Sequence, residues 1–401
     1  MFWKRAESIA EGKTALILSG GGARAAYQVG VLKALADILP KETNNPFPIL
    51  CGTSAGAINA AALAIYSAQF REAISRLVYV WGNFHVNQVF TSSFGGLSAS
   101  FSHWMLAMMA GGIGKYNPAA LLERGPLEHL LKHYLPFERV QESIDSGRIH
   151  ALAITASSYN SGHSVAFFQG HESIQAWNRT RRVGRRCQLD IRHLMASSAI
   201  PIVFAPENID GEFFGDGTMR QTAPLSAALH LGADKIMVIG VKHAETEEAV
   251  KSLDIRPSLG QITGHVLDSI FLDNIDMDVE RLQRINRTME SIPDRHRPDP
   301  AESTLRQVDV LSISPSQDLF RVAQKHAALM PLAMRFFLRG LGVSKQRGSN
   351  LLSYLLFEKA YCRDLISLGY GDAMERRAEI LEFFNLEPGE HMRNIHITHS
   401  A

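Results

Sequence analysis

The sequence has 401 residues, of which 46% are hydrophobic and 20% are charged, a composition that excludes a disordered or collagen-like chain. Its 41 Lys and Arg residues balance 40 Asp and Glu residues, and the net charge of +1 argues against a nucleic-acid-binding protein. The three cysteines are widely separated and make neither a disulfide framework nor a CxxC metal site, so they indicate a reducing compartment. Because no apolar signal segment precedes the first predicted strand, we expect a cytoplasmic protein.

The N-terminal part of the chain predicts two strand–turn–helix units. Residues 14–18 form an apolar run with β character, a glycine cluster ends it, and apolar residues at helical spacing continue to residue 39. The second unit has a short apolar run at 49–51, then a glycine, then an alanine-rich stretch over 55–68 that predicts a closely packed, buried helix.

Four further apolar runs predict strands, and the helical stretches between them predict an α/β fold with a mostly parallel central sheet. These runs are 151–155, 165–168, 236–241 and 308–313. Beyond about residue 244 the chain is more helical and more charged, and the run at 308–313 predicts a strand that returns to the core sheet. The predicted division is a core over 1–244, a helical C-terminal extension over 245–390 and a tail over 391–401.

One long stretch, residues 77–114, contains no Asp, Glu, Lys or Arg. Its most apolar part, residues 101–109, is too short for a transmembrane helix, which needs about 20 apolar residues. Two interpretations stay open: buried helices and loops over the core, or a hydrophobic lid or membrane-contacting surface.

A candidate nucleophile lies in Gly52-Thr53-Ser54-Ala55-Gly56, which matches G-x-S-x-G. This motif places a serine on a sharp turn between a strand and a helix, and small flanking residues let a substrate approach the hydroxyl. The predicted strand before the motif and the predicted helix after it provide that context.

A second glycine turn, Ser19-Gly20-Gly21-Gly22, joins the first predicted strand to its helix. Backbone N–H groups at such a helix start bind anions, either a phosphate or the oxyanion of an acyl-transfer intermediate. Arg24 opposes the helix dipole at this position, so we expect it to face an anion. Neither the dinucleotide nor the P-loop spacing is present, which argues against nucleotide binding.

A serine hydroxyl also needs a base, and Asp216 lies between Gly215 and Gly217 after two aromatic residues. On local grounds alone, an Asp-Gly pair is typical of a hairpin turn.

These three motifs, in this order and with about 30 residues between the first two, closely resemble the bacterial patatin-like phospholipases. Further similar stretches lie at 196–201, 224–234 and 271–286, so the resemblance covers nearly the whole chain. Ala25 and Thr218 depart from the commonest pattern of that family, although neither replaces a catalytic atom.

The resemblance implies a three-layer α/β/α fold and a Ser-Asp dyad in which Ser54 attacks an ester carbonyl and Asp216 takes its proton. It also implies an oxyanion hole at Gly20, Gly21 and Gly22, with Arg24 aiding this hole or binding the phosphate of the substrate, and no metal or other cofactor. The supporting positions of the motifs are Gly52, Gly56 and Gly217. Phe204, Phe213 and Phe214 are expected to form the apolar wall that raises the pKa of Asp216 and so makes it a better base.

The implied activity is hydrolysis of membrane-lipid esters, of the phospholipase A or lysophospholipase type, through an acyl-enzyme. We expect a lipid ester substrate and contact with a membrane surface, at the inner membrane face, with no nucleic-acid partner; the oligomeric state stays open.

Five arginines between 179 and 186 predict a solvated loop or a contact with anionic lipid head groups.

Two alternatives stay open. A Ser-His-Asp esterase of the α/β-hydrolase type needs a histidine after Asp216 in the chain. The candidates are His230, His243, His265, His296 and His326. The other alternative is a lipid-binding protein that has kept the fold without turnover.

Overall fold

One ten-stranded sheet runs through the part of the chain that the structure describes. The computed structural model describes residues 12–90, 122–201, 203–243, 275–293, 306–332, 334–335 and 351–387. The strands are β1 (Thr14–Leu18), β2 (Ile49–Thr53), β3 (Ala151–Ser158), β4 (Ser164–Gly170), β5 (Trp177–Arg179), β6 (Arg182–Arg186), β7 (Glu207–Ile209), β8 (Glu212–Asp216), β9 (Lys235–Ile239) and β10 (Asp309–Ile313).

The strand order is β10-β9-β1-β2-β3-β4-β6-β5, and the pairs from β10 to β3 are all parallel. The direction changes at β3, because β4 pairs with it antiparallel along its length and β8 pairs antiparallel with its last residues. Strand β7 then forms a hairpin with β8. The carboxyl ends of β1 and β2 therefore meet the end of β8 at one edge of the sheet.

Helices cover both faces of this sheet. In the described residues they are α1 (Ala26–Ile38), α2 (Ala55–Ile65), α3 (Phe70–Gly82), α4 (Gly125–Tyr134), α5 (Glu138–Asp145), α6 (Ile191–Ser197), α7 (Ser226–His230), α8 (Ile275–Ser291), α9 (Leu319–His326), α10 (Leu351–Leu355), α11 (Lys359–Glu375) and α12 (Arg377–Phe383). Leu16 and Leu50 point into the core shared with α1 and α2, whereas Ile17 and Cys51 point into a second core with α7 and α8.

Strands β1, β2 and β3 are buried on both faces, which explains why they appear in the sequence as continuous apolar runs rather than alternating ones. The predicted three-layer α/β fold with a mostly parallel central sheet is confirmed.

The C-terminal part of the described chain packs directly on this core. Strand β10 lies at the edge of the sheet, parallel to β9, and α11 crosses α1 at two glycines. A side-chain carbon at Gly369 would lie 2.2 Å from the carbonyl oxygen of Tyr27, and one at Gly30 would lie 2.1 Å from that of Ile366. The division of the chain at residue 244 stays a prediction, since 244–274 lie outside the described residues.

The arginine-rich segment 179–186 is not the predicted solvated loop; it forms the hairpin of β5 and β6 at the outer edge of the sheet. Charged residues are frequent on such edge strands. Arg185 pairs with Glu212 at 2.6 Å, and Arg186 donates to three backbone carbonyls, so two of the five arginines have structural partners.

Residues 91–114 of the uncharged stretch lie outside the described residues, so the choice between buried packing and a lid or membrane contact stays open. The part before them contributes buried side chains to the core, among them Trp81, Phe84 and Phe90. None of the helices in the described ranges is long and apolar enough to cross a membrane.

Candidate active site

The turn between β2 and α2 holds Ser54 in an unusual backbone conformation. Its φ is 53° and its ψ is −128°, a region that residues with a side chain rarely adopt. The turn places Ser54 directly after the carboxyl end of a buried strand and at the start of α2, as the G-x-S-x-G motif predicts. Strain of this kind persists only where the surrounding structure imposes it.

Gly56 lets α2 begin directly against the end of β1. A side-chain carbon at this position would lie 2.3 Å from the carbonyl oxygen of Leu18 and 2.4 Å from that of Ser19. Gly52 and Gly217 are confined in the same way by the backbone of α2 and β3, at 2.4 and 2.2 Å. These three glycines therefore bring the turn after β1, the turn at Ser54 and the end of β8 together.

Asp216 ends β8, and the antiparallel pairing of β8 with β3 brings it beside Ser54. The Ser54 hydroxyl donates a hydrogen bond of 2.7 Å to Asp216 Oδ2. Both side chains are buried. The Asp216-Gly217 pair does not form a hairpin turn; instead, the Asp216 side chain caps a 3-10 turn over Gly217–Arg220.

The second carboxylate oxygen of Asp216 accepts two hydrogen bonds from Thr218. Its backbone N–H lies 3.0 Å away and its hydroxyl 2.8 Å away. Burial raises the pKa of the Asp216 carboxyl above its usual range, while the bonds from Ser54 and Thr218 and the positive charge of Arg124 counteract part of this rise. Thr218 thus holds the Asp216 carboxylate, although the sequence presents it only as a departure from the family pattern.

The expectation of an apolar wall around Asp216 is wrong for Phe213. Phe204 and Phe214 are buried, but the side chain of Phe213 is 46% exposed. Adjacent residues of a strand point to opposite faces of the sheet, so Phe213 faces away from the side of Phe214 and Asp216.

Ser197, which ends α6, supports the strained turn; the sequence marks it only as part of the family-like stretch 196–201 and gives it no role. Its hydroxyl oxygen accepts the Ser54 N–H at 2.8 Å, and its hydroxyl donates to the carbonyl of Thr155 at 2.6 Å. The carbonyl of Ala199 accepts the Asp216 N–H at 2.9 Å. One segment therefore fixes the backbone of both residues.

The glycine turn after β1 lies against the same serine. A side-chain carbon at Gly20 would lie 2.6 Å from Thr218 Cγ2 and 3.1 Å from Ser54 Cβ, so glycine lets the turn approach the serine closely. A 3-10 turn over Gly22–Ala25 follows and has no side-chain cap. The first N–H groups of such a turn lack internal acceptors and are suited to bind an oxyanion.

Arg24 is buried rather than solvated, and it contacts the C-terminal part of the chain. Its Nε donates to Ser353 Oγ at 2.7 Å, and its guanidinium lies 4.4 Å from the ring centre of Tyr354. The backbone of Tyr354 also lies against Gly22. The expected role of Arg24 toward an anion stays a prediction.

An apolar groove extends from Ser54 along one face of α2. Ala55, Ile58, Ala62 and Tyr66 line it at helical spacing, and a helix advances about 1.5 Å per residue, so the groove is on the order of 16 Å long. Its other walls come from α3, α4 and two further segments. These wall residues include Leu77, Val80, Trp81, Phe84, Leu127, Leu130, Leu131, Ile200, Phe204 and Phe357.

No histidine of the described residues contacts Ser54 or Asp216. His230 stacks on Trp177, His243 lies 2.8 Å from the carbonyl of Pro315, and His326 pairs with Asp364 at 2.7 Å. His265 and His296 lie outside the described residues. Within the described ranges, no three His, Cys, Asp or Glu side chains are grouped as metal ligands.

Comparison with known proteins identifies the family. The family model described as patatin-like phospholipase matches residues 16–229, just over half of the chain. The chain belongs to the patatin-like phospholipase family. The resemblance drawn from the two glycine turns and the Asp-Gly pair is therefore confirmed.

The similar proteins are distant. A "cGAMP-activated phospholipase" of Pseudomonas aeruginosa is 26% identical over 224 residues, which are 54% of this chain and 55% of the relative. The chain thus spans about half the length of that curated relative. Among solved structures, human GIVD cytosolic phospholipase A2 aligns with 95% of this chain and 62% of its own at 13% identity and a TM-score of 0.44. VipD of Legionella pneumophila aligns with 92% of this chain and 67% of its own, at 13% identity and a TM-score of 0.33.

The backbone of this patatin-like protein is strained at Ser54, and comparing the stabilities of two variants measures that strain. Ser54→Ala and Ser54→Gly both remove the hydroxyl, but only glycine adopts the observed φ and ψ freely. We expect the free energy of unfolding of the glycine variant to be about 1–2 kcal/mol higher than that of the alanine variant. Denaturant titration of both measures the difference, and an alanine variant at least as stable as the glycine variant would contradict the strain.

Proposed function

We propose that this chain is a serine lipid acyl hydrolase that cleaves carboxylic esters of membrane lipids, of the phospholipase A or lysophospholipase type. The observation that carries the proposal is the 2.7 Å hydrogen bond from the Ser54 hydroxyl to the buried Asp216 carboxylate, made on a strained turn at the mouth of an apolar groove. Family membership supports the same activity class.

In the acylation step, Ser54 Oγ attacks the ester carbonyl carbon and its proton passes to Asp216 Oδ2. The carbonyl oxygen becomes an oxyanion, and the N–H groups of Gly20, Gly21 and Gly22 bind it. The bond to the leaving alcohol then breaks, and Asp216 donates the proton to the alcohol oxygen. The acyl group stays on Ser54 as an ester.

In the deacylation step, a water molecule attacks this ester and gives its proton to Asp216. The second oxyanion occupies the same glycine turn. When the carbon–oxygen bond to Ser54 breaks, Ser54 Oγ takes the proton from Asp216 and the fatty acid leaves. One carboxylate thus serves as base and acid in turn, so the mechanism needs no histidine.

The groove is suited to an acyl chain. An extended hydrocarbon advances about 1.25 Å per carbon, given C–C bonds of about 1.5 Å at near-tetrahedral angles, so a groove on the order of 16 Å holds about 12 carbons. Each buried methylene contributes about 0.8 kcal/mol. The nearly continuous apolar lining, from Ala55 to Tyr66 and across to Trp81, therefore favours long-chain esters over small polar ones.

The two alternatives make different demands. A Ser-His-Asp triad needs an imidazole hydrogen-bonded to Ser54. The 2.7 Å hydrogen bond from the Ser54 hydroxyl to Asp216 Oδ2 supports the dyad instead. A lipid-binding protein without turnover needs only the groove. A paired nucleophile and base at its mouth would then have no use, and Ser54 would retain its strain without compensation.

The surface beside Asp216, where β3 and β8 end, has features that favour contact with an anionic bilayer. Tyr159 and Phe213 are neighbours there, joined by a 2.9 Å backbone hydrogen bond, and their side chains are 48% and 46% exposed. The β5–β6 hairpin adds Arg179 and Arg181, which are exposed on the same surface. Aromatic and cationic side chains together are typical of surfaces that dock on anionic head groups. We include this membrane contact in the proposal.

For the membrane contact, we expect Tyr159→Ser combined with Phe213→Ser to reduce hydrolysis of anionic vesicles at least about fivefold more than hydrolysis of a soluble short-chain ester. Tyr79→Ser is the matched control, because Tyr79 is exposed on α3 outside the groove. Vesicle co-sedimentation provides the binding measurement. Equal losses on both substrates would count against a docking surface.

For the dyad, Ser54→Ala and Asp216→Asn should each abolish ester hydrolysis while the fold is retained. Asparagine keeps the size of the aspartate side chain but cannot take the proton. Alanine variants at His230, His243, His265, His296 and His326 should keep substantial activity. Turnover of a soluble ester and labelling of Ser54 by a fluorophosphonate probe are the measurements. A folded histidine variant as inactive as Ser54→Ala would establish the triad, and a wild-type chain that binds lipid without turnover would establish the lipid-binding alternative.

For the pH dependence, Thr218→Val removes one hydrogen bond to the Asp216 carboxylate and keeps the backbone donor. The ionised form loses stabilisation, so the pKa of Asp216 rises further. Because Asp216 accepts a proton only when ionised, the acid limb of kcat/KM should move to higher pH. A profile from about pH 4 to pH 9 on a soluble ester measures the shift. Thr288→Val, on the exposed face of α8, is the control, and an acid limb that stays in place would contradict the role of Thr218.

A further inference from the structure

Three buried side chains form a hydrogen-bonded chain from α3 to the glycine turn. Trp81 Nε1–H donates to Asn59 Oδ1 at 2.8 Å, and Asn59 Nδ2–H donates to Gln28 Oε1 at 3.0 Å. Gln28 Nε2–H then donates to the carbonyl oxygen of Ser19 at 2.8 Å. All three side chains are nearly inaccessible to solvent. This series of hydrogen bonds thus reaches Ser19, the residue directly before Gly20.

The indole of Trp81 sets the donor-to-acceptor direction of this series of hydrogen bonds. An indole N–H only donates, so Asn59 must present its oxygen to Trp81 and its NH₂ group to Gln28. Gln28 must then present its own oxygen to Asn59, which directs its NH₂ group to Ser19. The remaining N–H of each amide donates to a backbone carbonyl, of Ala25 and Ile239 respectively. Neither amide can turn over without losing these bonds.

The last bond fixes the orientation of the peptide between Ser19 and Gly20. In a trans peptide the C=O and the N–H point in opposite directions. With the Ser19 oxygen held against Gln28 and against the bare Cα of Gly56, the Gly20 N–H points to the other side. Gly20 itself lies against the Ser54 side chain.

We propose that Trp81, Asn59 and Gln28 are positioning residues for the oxyanion hole: they hold the Ser19–Gly20 peptide so that the Gly20 N–H faces the developing oxyanion. This inference rests on the proposed hydrolase function and adds to it residues that do not touch the reacting atoms. Trp81 also lines the acyl groove, so the wall of the groove and the oxyanion donor belong to one hydrogen-bonded unit.

The test uses variants of the full chain that break the unit at either end. Gln28→Met removes the donor to Ser19 at similar volume, and Trp81→Phe keeps an aromatic ring in the groove but removes the first donor. Gln169→Met is the matched control: Gln169 is a buried glutamine whose amide bonds to Gln141 and Leu189, far from the glycine turn. Denaturant unfolding shows which variants are folded, and Trp81→Phe provides the milder change if Gln28→Met does not fold.

On a soluble short-chain ester we expect Gln28→Met and Trp81→Phe to lower kcat about 10- to 100-fold with KM changed less than about twofold, because an oxyanion donor acts mainly in the transition state. On the matching thionoester the deficit should shrink to a few-fold, because sulfur is a weak hydrogen-bond acceptor and gains little from the Gly20 N–H. Gln169→Met should keep the wild-type kcat on both substrates.

A readout that does not depend on turnover separates this inference from the proposed function. Hydrogen–deuterium exchange of the peptide covering residues 19–25 should accelerate at least about tenfold in Gln28→Met and stay unchanged in Gln169→Met. Unchanged exchange, or an equal loss of kcat on ester and thionoester, would overturn the positioning role. A wild-type chain without hydrolysis would overturn the proposed function, and the exchange result would still decide whether Gln28 holds the turn.

Discussion

The carboxyl group of Asp216 lies where water does not reach it, and much of the structure around it compensates for that burial. A buried carboxylate without partners costs several kcal/mol. Here it accepts one bond from Ser54 and two from Thr218, and Arg124 contributes positive charge. The remaining rise in its pKa makes the group a stronger base than an exposed aspartate. Burial and hydrogen bonding together therefore set the basicity of this carboxylate.

Strand β3 makes this arrangement possible because it pairs in both directions. It is parallel to β2, which delivers Ser54, and antiparallel to β8, which delivers Asp216. The two residues are 162 positions apart in the sequence. Because β8 runs opposite to β2 and pairs with β3 just beyond the end of β2, the last residue of β8, Asp216, meets the turn that follows β2.

The sequence predicts those parts of the molecule whose signals are local. The two glycine turns, the strand before Ser54 and the helix after it follow from neighbouring residues. The alternation of apolar runs and helical stretches predicts an α/β fold with a mostly parallel sheet, and the family resemblance implies its three layers. Contacts between distant residues leave no such signal. Ser197 supports Ser54 although the two are 143 residues apart in the sequence, Arg24 lies against Tyr354, and Phe213 faces solvent because of the register of β8. The sequence predicts a solvated loop or a lipid contact for the arginines of the β5–β6 hairpin, because their charges hide a strand pairing that only the neighbouring β4 reveals.

The C-terminal segment forms part of the wall around the glycine turn. The carbonyl of Tyr354 lies so close to Gly22 that a side-chain carbon there would meet it at 2.3 Å, and Ser353 receives the Arg24 Nε–H. Ser54 and Asp216 are already present when the ribosome has made little more than half of the chain. The segment that covers the outer side of the glycine turn is made later. A nascent chain therefore carries both residues of the proposed dyad for many seconds, at a synthesis rate of about 5–20 residues per second, before the turn acquires its final neighbours.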